Sequence, residues 1–302
     1  MKKVYITGIA GLLGNNIATE LLDKYEIFGA DIIKTDIPGV TYDVFDLCDE
    51  KELEYNISRC KPDILIHTVA AVNVDKCETD IDYAETLNAK LTQKVSSICE
   101  KLGIKLIYIS TDAVFDGTKE GLYKEGDVVN PINVYGRTKY EGEVFASQIK
   151  NSLILRTNIY GLNIQNKKSF GEWVVDALEN DMEINMFEDI YFSPILVNEL
   201  ARVIGCCIQQ DLSGLYHACG TGSISKYQFG LEVKKIFGIK TGKIKKSKSE
   251  IMNFVAPRAK NMGMSNESLC SKLNIRIHTP EESIEEFYHM YSHMREEGTY
   301  GN

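Results

Sequence analysis

The stretch KVYITGIAGLLGNNIATELL, residues 3–22, decides the fold. Its first five residues, Lys3 to Thr7, form an apolar run typical of a buried strand. Three glycines follow this run directly, Gly8, Gly11 and Gly14. They open a segment whose apolar face is formed by Ile17, Leu21 and Leu22. The order of strand, glycine turn and helix predicts the first unit of an α/β sheet.

The glycine turn also predicts a ligand. Glycines let the backbone turn tightly and approach a pyrophosphate, whose charge the free N–H groups and the dipole of the helix start stabilise. The spacing GxxGxxG is one residue longer than the GxGxxG dinucleotide fingerprint. On its own, a glycine triplet is weak evidence, so a second signal is needed.

The second signal is Asp31, at the end of a second predicted strand from Tyr25 to Ala30. Its carboxylate is placed to accept the ribose hydroxyls of a dinucleotide and to repel a 2′-phosphate. Lys34 follows three residues later, and no arginine comes directly after Asp31. The pattern therefore favours NAD(H) and keeps NADP(H) as the alternative. A solvated acid at a strand end is the structural alternative for Asp31.

The same alternation continues along the chain. Further strands are predicted at 42–47, 64–72, 106–109, 153–157 and 214–218. Helices are predicted at 50–60, 82–102, 135–149, 169–178 and 280–297. Repeated βα units predict an α/β fold with a doubly wound parallel (Rossmann) sheet and right-handed crossovers.

The predicted domain organisation has two parts. Residues 1–161 form the NAD(P)-binding Rossmann domain, to which a segment near 188–225 returns. Residues 162–187 and 226–302 form a smaller, discontinuous α/β lobe that binds the substrate. We expect Trp173, in an amphipathic helix of this lobe, to lie in the core rather than to stack on a nucleobase.

Composition excludes several function classes. The formal charge of −9 argues against nucleic acid and membrane surfaces as partners, because both are anionic. The eight cysteines include no CxxC pair, and Met1 is followed by two lysines and a strand, so a cytoplasmic location is expected. His289 and His293 have helical spacing but no third ligand nearby, so we assign no metal.

The chemistry is predicted between Leu106 and Lys139. The Leu106 strand ends at Thr111, whose hydroxyl should face the crevice at the carboxyl end of the sheet. Tyr135 and Lys139 are four residues apart, on one face of a predicted helix. A nearby ammonium stabilises a phenolate, so Lys139 should lower the pKa of Tyr135 toward neutrality. Thr111 would hold a reacting carbonyl while Tyr135 protonates it. The alternative is a chance pair among 16 tyrosines.

Four segments carry a family resemblance: TGIAGLLG (7–14), PDILIHTVAAVNVDKCE (62–78), ISTDAVFDG (109–117) and NPINVYGRTKYEGE (130–143). They resemble the extended short-chain dehydrogenase/reductases and, within them, the dTDP-4-dehydrorhamnose reductase family. LILRTNIYG, YFSPILVNELARVI and GLYHACGTGSIS are similar in the same way, so the resemblance covers most of the chain.

The resemblance implies roles for individual residues. Thr111, Tyr135 and Lys139 are the implied catalytic residues, and Asn88 matches an asparagine that such enzymes carry on the helix behind the site. The residues assigned to cofactor binding are Gly8, Gly11, Leu12, Leu13, Gly14, Asp31, Asp46, Ala70, Tyr135 and Lys139. Asp112 and Arg258 are assigned to the substrate. Arg258 would bind a diphosphate as a bidentate donor, with a surface role as its alternative.

This chain also departs from the family pattern. Ala113 stands where the family usually has tyrosine, and Ile159 stands where it often has tryptophan. Both positions are expected near the sugar, so these changes alter the surface that would pack on a hexose. The segment PRAKNMGM, 257–264, keeps Arg258 but loses the flanking proline and serine of the family motif.

The resulting hypothesis is an NAD(P)H-dependent reductase of the 4-keto group of a nucleotide-activated deoxysugar. Its expected partner is the nucleotide-sugar substrate, and a homodimer is the assembly allowed for. Two alternatives stay open. One is a sugar-nucleotide epimerase. The other is a non-catalytic regulatory subunit that resembles the β subunit of methionine adenosyltransferase.

Overall fold

The computed structural model describes residues 1–163 and 168–296 and contains an α/β fold built on a seven-stranded parallel sheet. Within the described residues the strands are β1 (Lys3–Thr7), β2 (Glu26–Asp31), β3 (Thr41–Val44), β4 (Ile64–His67), β5 (Lys105–Thr111), β6 (Leu153–Thr157), β7 (Ile159–Tyr160), β8 (Glu183–Phe187), β9 (Tyr191–Phe192), β10 (Ile195–Leu196), β11 (Gly214–His217), β12 (Ile224–Ser225), β13 (Lys243–Ser247) and β14 (Asn261–Met262).

The helices surround this sheet and a second lobe. They are α1 (Leu12–Leu21), α2 (Glu50–Cys60), α3 (Val74–Thr79), α4 (Ile81–Ala84), α5 (Leu91–Leu102), α6 (Val134–Ser147), α7 (Phe170–Glu179), α8 (Val197–Gln209), α9 (Lys226–Ile236), α10 (Glu267–Leu273) and α11 (Pro280–Glu296). None of the helices in the described residues is both long and apolar enough to span a membrane.

The strand order of the large sheet is β3–β2–β1–β4–β5–β6–β11, and each neighbouring pair is parallel. The chain reverses its direction of travel across the sheet between β1 and β4, which creates a crevice at their carboxyl ends. The predicted doubly wound parallel sheet is therefore confirmed. The last predicted residues of the substrate lobe, 297–302, lie outside the described residues.

The glycine turn explains how β1 joins α1. Gly8 has a φ of +79°, a conformation that other residues rarely adopt. A Cβ on Gly14 would lie 2.1 Å from the carbonyl oxygen of Gly8, so only glycine lets α1 start this close to β1. On its other side, α1 packs against α8.

Two apolar layers cover the faces of the sheet. One layer combines the sheet with α1, α8 and α10, and it includes Ile17 and Ile204. The other combines it with α2, α5 and the end of α6, and it includes Leu53 and Val95. Strands buried on both faces require continuous apolar runs, which β4 and β6 have.

The second lobe has its own core. Residues from α7, α9 and α11 pack together around Tyr160, Phe229 and Phe287. Its small sheets are the parallel pair β8–β13 and the three-stranded order β12–β9–β14. The segment 188–225 supplies β9 and β12 to this lobe, and it supplies α8 and β11 to the large unit.

Two elements differ from the predictions. The helix predicted at 82–102 is continuous, but it widens to a π-helix at Glu85–Lys90. The strand predicted at 64–72 ends at His67, and at Thr68 both the backbone N–H, at 3.2 Å, and the hydroxyl, at 2.8 Å, donate to the carbonyl oxygen of Thr7. The apolar composition of these segments reveals neither the π-helix nor the early end of β4.

Candidate active site

A cavity of about 680 Å³ opens at the carboxyl ends of β1, β4, β5 and β6. Cavities of this size are typical of small-molecule sites. The predicted site residues that line it are Gly8, Gly11, Leu12, Leu13, Asp31, Ala70, Thr111, Asp112, Tyr135, Lys139 and Arg258. The fold therefore brings residues from distant parts of the chain to one crevice.

One half of the cavity is formed by the glycine turn. Gly11 precedes α1, and no side chain caps the N–H groups of the first turn of this helix. Unpaired N–H groups and the helix dipole suit an anion, and the glycines leave space for it. These features fit the pyrophosphate of a dinucleotide.

Asp31 lies beside this turn, and its carboxylate accepts two hydrogen bonds from the backbone. It accepts a hydrogen bond from the backbone N–H of Ala10 at 3.0 Å and another from that of Ile33 at 3.2 Å. These bonds fix the carboxylate at the cavity wall, where its charge faces the space beside the glycine turn.

Two predicted cofactor residues do not line the cavity. Gly14 lies behind the turn and serves the close packing of α1 on β1. Asp46 is exposed in the loop after β3, where its carboxylate accepts from the N–H of Cys48 at 2.9 Å.

The other half of the cavity begins where β5 ends. The Thr111 side chain caps the turn Asp112–Val114 by accepting from the N–H of Ala113 at 3.2 Å. The helix α6 approaches this turn so closely that a Cβ on Gly136 would lie 2.1 Å from the carbonyl oxygen of Ala113. This close approach brings Tyr135, the residue before Gly136, next to Thr111.

The surroundings of Tyr135 change its acidity. Desolvation raises the pKa of the phenol to about 12, Asp112 and Cys77 add to the rise, and a hydrogen bond to Thr111 acts against it. The direction is opposite to the lowering predicted from Lys139. At neutral pH the phenol therefore keeps the proton that a general acid must donate.

Lys139 is buried one turn further along α6. Its Nζ donates to the carbonyl oxygen of Ile109 at 2.7 Å and lies 4.3 Å from the ring centroid of Tyr108. Desolvation lowers the pKa of this ammonium to about 7, while Glu143 acts in the opposite direction.

Asn88 holds the region behind the site together. It is fully buried in the π-helix, where its Oδ1 accepts from the N–H of Ala71 at 2.8 Å and its Nδ2 donates to Thr138 Oγ1 at 3.0 Å. The side chain thereby connects the loop after β4 to α6. Short π-helices often mark functional sites, and here the wider turn carries this connection.

Asp112 is the centre of a cluster of polar side chains that the sequence predicted only in part. Its carboxylate accepts from the amide of Asn158 and, at 3.0 Å, from the hydroxyl of Thr111. Desolvation raises the pKa of Asp112, and the charge of Lys226 opposes the rise. Asn158 follows β6 directly, so its position at a strand end was a usable signal. Lys226 belongs to the second lobe, and no local pattern connects it to Asp112.

Arg258 lines the cavity at the rim. Its Nη2 donates to Asp75 Oδ2 at 2.7 Å, and its Nη1 is buried without a hydrogen-bond partner in the described parts of the chain. The Asp75 carboxylate also accepts from the N–H of Ala256 at 3.0 Å, so it ties this segment to α3. Nη2 of the guanidinium is therefore paired with Asp75, and Nη1 is a buried donor with no acceptor among the described residues.

The positions that depart from the family pattern also reach the cavity. Ala113 and Ile159 both line it, as does Phe170 from α7. Trp173 does not lie in the core as expected. It is 40% exposed and stacks on Phe170, with ring centroids 6.1 Å apart.

Residues 1–293 match the model of a protein family described as the RmlD substrate binding domain. The chain belongs to this family. Within the RmlD substrate binding domain family, the dTDP-4-dehydrorhamnose reductase of Sinorhizobium fredii is 32% identical over 251 residues, which cover 79% of this chain and 84% of that protein.

Structural comparison agrees with this membership. The crystal structure of dTDP-4-dehydrorhamnose reductase from Bacillus anthracis in complex with NADP has a TM-score of 0.86 and 30% identity, and it covers 96% of this chain and all of its own. The β subunit of methionine adenosyltransferase 2 from Xenopus laevis is 26% identical, with 90% of this chain and 81% of that protein covered. The predicted resemblance to the reductase family is confirmed.

Proposed function

We propose that this protein reduces the 4-keto group of a nucleotide-activated deoxysugar. The observation that carries the proposal is the convergence of Thr111, Tyr135 and Lys139 in one cavity with the glycine turn after β1. The reductases of Sinorhizobium fredii and Bacillus anthracis, which are similar over most of this chain, support the same reaction.

The roles of the side chains follow from their surroundings. Tyr135 keeps its proton at neutral pH and donates it to the carbonyl oxygen of the substrate. Thr111, beside it, turns its hydroxyl from the carboxylate of Asp112 to the same oxygen and orients it by donating a hydrogen bond. A bound nicotinamide cofactor supplies the hydride. Lys139 adds positive charge beneath the reacting groups, which favours the developing negative charge on oxygen.

We further propose that the cofactor is held by the glycine turn and Asp31, and that NAD(H) is preferred. The carboxylate of Asp31 faces the space beside the turn, where it opposes a 2′-phosphate. The Bacillus anthracis structure contains NADP, so the preference needs a direct test. Calorimetric titration should give tighter binding of NADH than of NADPH, and Asp31→Ala should reduce the difference. Equal affinities in the unmodified protein would refute the preference.

The regulatory alternative has one specific observation in its favour, the similarity to the methionine adenosyltransferase β subunit. It predicts co-purification with a catalytic partner and no reduction of any sugar. The epimerase alternative predicts turnover without net consumption of the cofactor. Spectrophotometry of NADH with a panel of 4-keto sugar nucleotides identifies a reductase by net oxidation of NADH. Chromatography of the same sugar nucleotides separates an epimerase, which converts them, from a regulatory subunit, which leaves them unchanged.

The decisive variants change one group at a time. Tyr135→Phe keeps the ring and removes the proton, so cofactor binding should persist while turnover falls roughly 10²-fold or more. Lys139→Met should cause a similar loss and also weaken cofactor binding. Thr111→Val removes one hydrogen bond and should cost about 1–3 kcal/mol of transition-state stabilisation. A near-native rate in Tyr135→Phe would remove Tyr135 from the mechanism.

A further inference from the structure

The last three residues of β5 pair in register with a neighbouring strand on one side only. The ladder between β4 and β5 ends at the pair His67 and Tyr108, whereas the ladder between β5 and β6 continues to the pair Thr111 and Thr157. The end of β5 therefore has less support from the sheet than the rest of this central strand. Thr111, which orients the substrate carbonyl in the proposed reaction, is the last residue of this end.

Side chains of α6 supply support that the sheet does not. Lys139 Nζ donates to the carbonyl oxygen of Ile109 at 2.7 Å. One helical turn later, Glu143 accepts from the hydroxyl of Ser110 at 2.5 Å. Tyr135, Lys139 and Glu143 are each four residues apart, so they share one face of α6. The face that carries the proton donor therefore also carries the two contacts that support the end of β5.

Arg156 fixes the carboxylate of Glu143 from the neighbouring strand. Its Nε donates to Oε1 at 2.8 Å and its Nη2 donates to Oε2 at 2.7 Å. Ser110 and Arg156 are register partners in β5 and β6, so both side chains lie on the face of the sheet that meets α6. All three side chains are buried. A bidentate pair fixes the direction of a carboxylate, so the hydroxyl of Ser110 has an acceptor that is held in place and charged.

We propose that Ser110, anchored by Glu143, is a positioning residue that sets where Thr111 lies relative to Tyr135. Its hydroxyl is directed to Glu143, and it acts through the next residue of the strand. The inference rests on the proposed function, because it concerns the alignment of the groups that meet the carbonyl oxygen. Displacement of such a group by about 1 Å can cost ~10²-fold in rate.

The first test removes the hydroxyl alone. Ser110→Ala leaves both charges of the Glu143–Arg156 pair in place, so the protein should fold. Its kcat with the panel of 4-keto sugar nucleotides should fall roughly 10- to 100-fold, while calorimetry should give an unchanged affinity for NADH. Ser96→Ala is the matched control, because this serine of α5 is equally buried and its hydroxyl has no hydrogen-bond partner within residues 1–163 and 168–296. Equal kcat values for the two variants would overturn the inference.

A double-mutant cycle with Thr111→Val separates positioning from general destabilisation. If Ser110 acts through Thr111, Ser110→Ala should reduce kcat little further in a protein that already lacks the hydroxyl of Thr111. An independent structural effect would instead reduce kcat by the same factor in both backgrounds. Additive losses would therefore refute the positioning role.

Amide hydrogen exchange tests the inference without turnover. In Ser110→Ala, residues 110–114 should exchange faster than in the unmodified protein, because the end of β5 opens locally, while residues 105–108 should keep their protection. Unchanged exchange at 110–114 would overturn the inference whether or not the protein is a reductase. Faster exchange there, in a protein that reduces no 4-keto sugar nucleotide, would overturn the reductase function alone.

Discussion

Replacement of Glu143 by glutamine tests the most heavily buried ion pair of the described residues, which lies behind the cavity. Glu143 accepts from Arg156 Nε at 2.8 Å and from Arg156 Nη2 at 2.7 Å, and it accepts from Ser110 Oγ at 2.5 Å. Both charged side chains are only 3% exposed. The pair connects α6, one turn after Lys139, to the neighbouring strands β5 and β6.

The expected cost follows from this geometry. Glu143→Gln keeps the shape of the side chain but leaves the guanidinium of Arg156 buried without a counter-charge. Breaking a buried pair from one side typically costs about 3–5 kcal/mol. With an unfolding entropy of ~2.1 cal/mol/K per residue, this loss corresponds to a decrease in Tm of about 5–8 °C for a chain of 302 residues.

Differential scanning calorimetry measures this decrease directly. Glu141→Gln is the matched control, since Glu141 is on the same helix and pairs with Arg137 at 2.7 Å on the surface. Exposed pairs contribute about 0–1 kcal/mol, so the control should retain nearly the original Tm. Equal Tm values for the two variants would show that Arg156 does not depend on Glu143, and the reasoning would fail.

Two further predictions concern the glycine turn and the buried Lys139. Gly14→Ala should lower both Tm and dinucleotide affinity, because the new Cβ would meet the carbonyl oxygen of Gly8; Gly126→Ala, where nothing lies within 4 Å, should change neither. The pKa of Lys139 is lowered in the folded state to about 7 from an ordinary 10.5, so the unfolded chain binds more protons between these values. The free energy of unfolding of the unmodified protein should therefore rise more steeply between pH 7 and pH 10.5 than that of Lys139→Met. Urea denaturation at a series of pH values measures both, and parallel pH dependences of the two proteins would contradict this.

Some elements could be predicted from sequence to the residue. The helix α2 and the strand β6 have the bounds expected from their patterns. Both depend on local signals. Asp49 caps α2 by accepting from the N–H groups of its first turn, and β6 is a short apolar run of a kind that parallel sheets bury. The glycine turn was predictable for the same reason, since its backbone conformation and close packing involve neighbouring residues.

The catalytic candidates were predictable in position but not in acidity. Thr111 lies at a strand end, and Tyr135 and Lys139 share a helix face, so their spacing already placed them together. The pKa of Tyr135 depends instead on how far the fold removes it from water and on which charges lie around it. The sequence pattern suggested a lowered pKa, and the tertiary structure raises it.

The contacts that only the fold decides are those between distant segments. Lys226 of α9 lies over the ring of Phe170 in α7, and its charge is affected by Asp112 at the end of β5. Glu143 meets Arg156 because α6 packs across β6. Secondary-structure patterns report interactions over three or four residues, as in α2. Desolvation and long-range pairing depend on which surfaces pack together. The sequence alone therefore determined the scaffold and the spacing of the candidate catalytic residues, and tertiary packing decided the charges around the cavity.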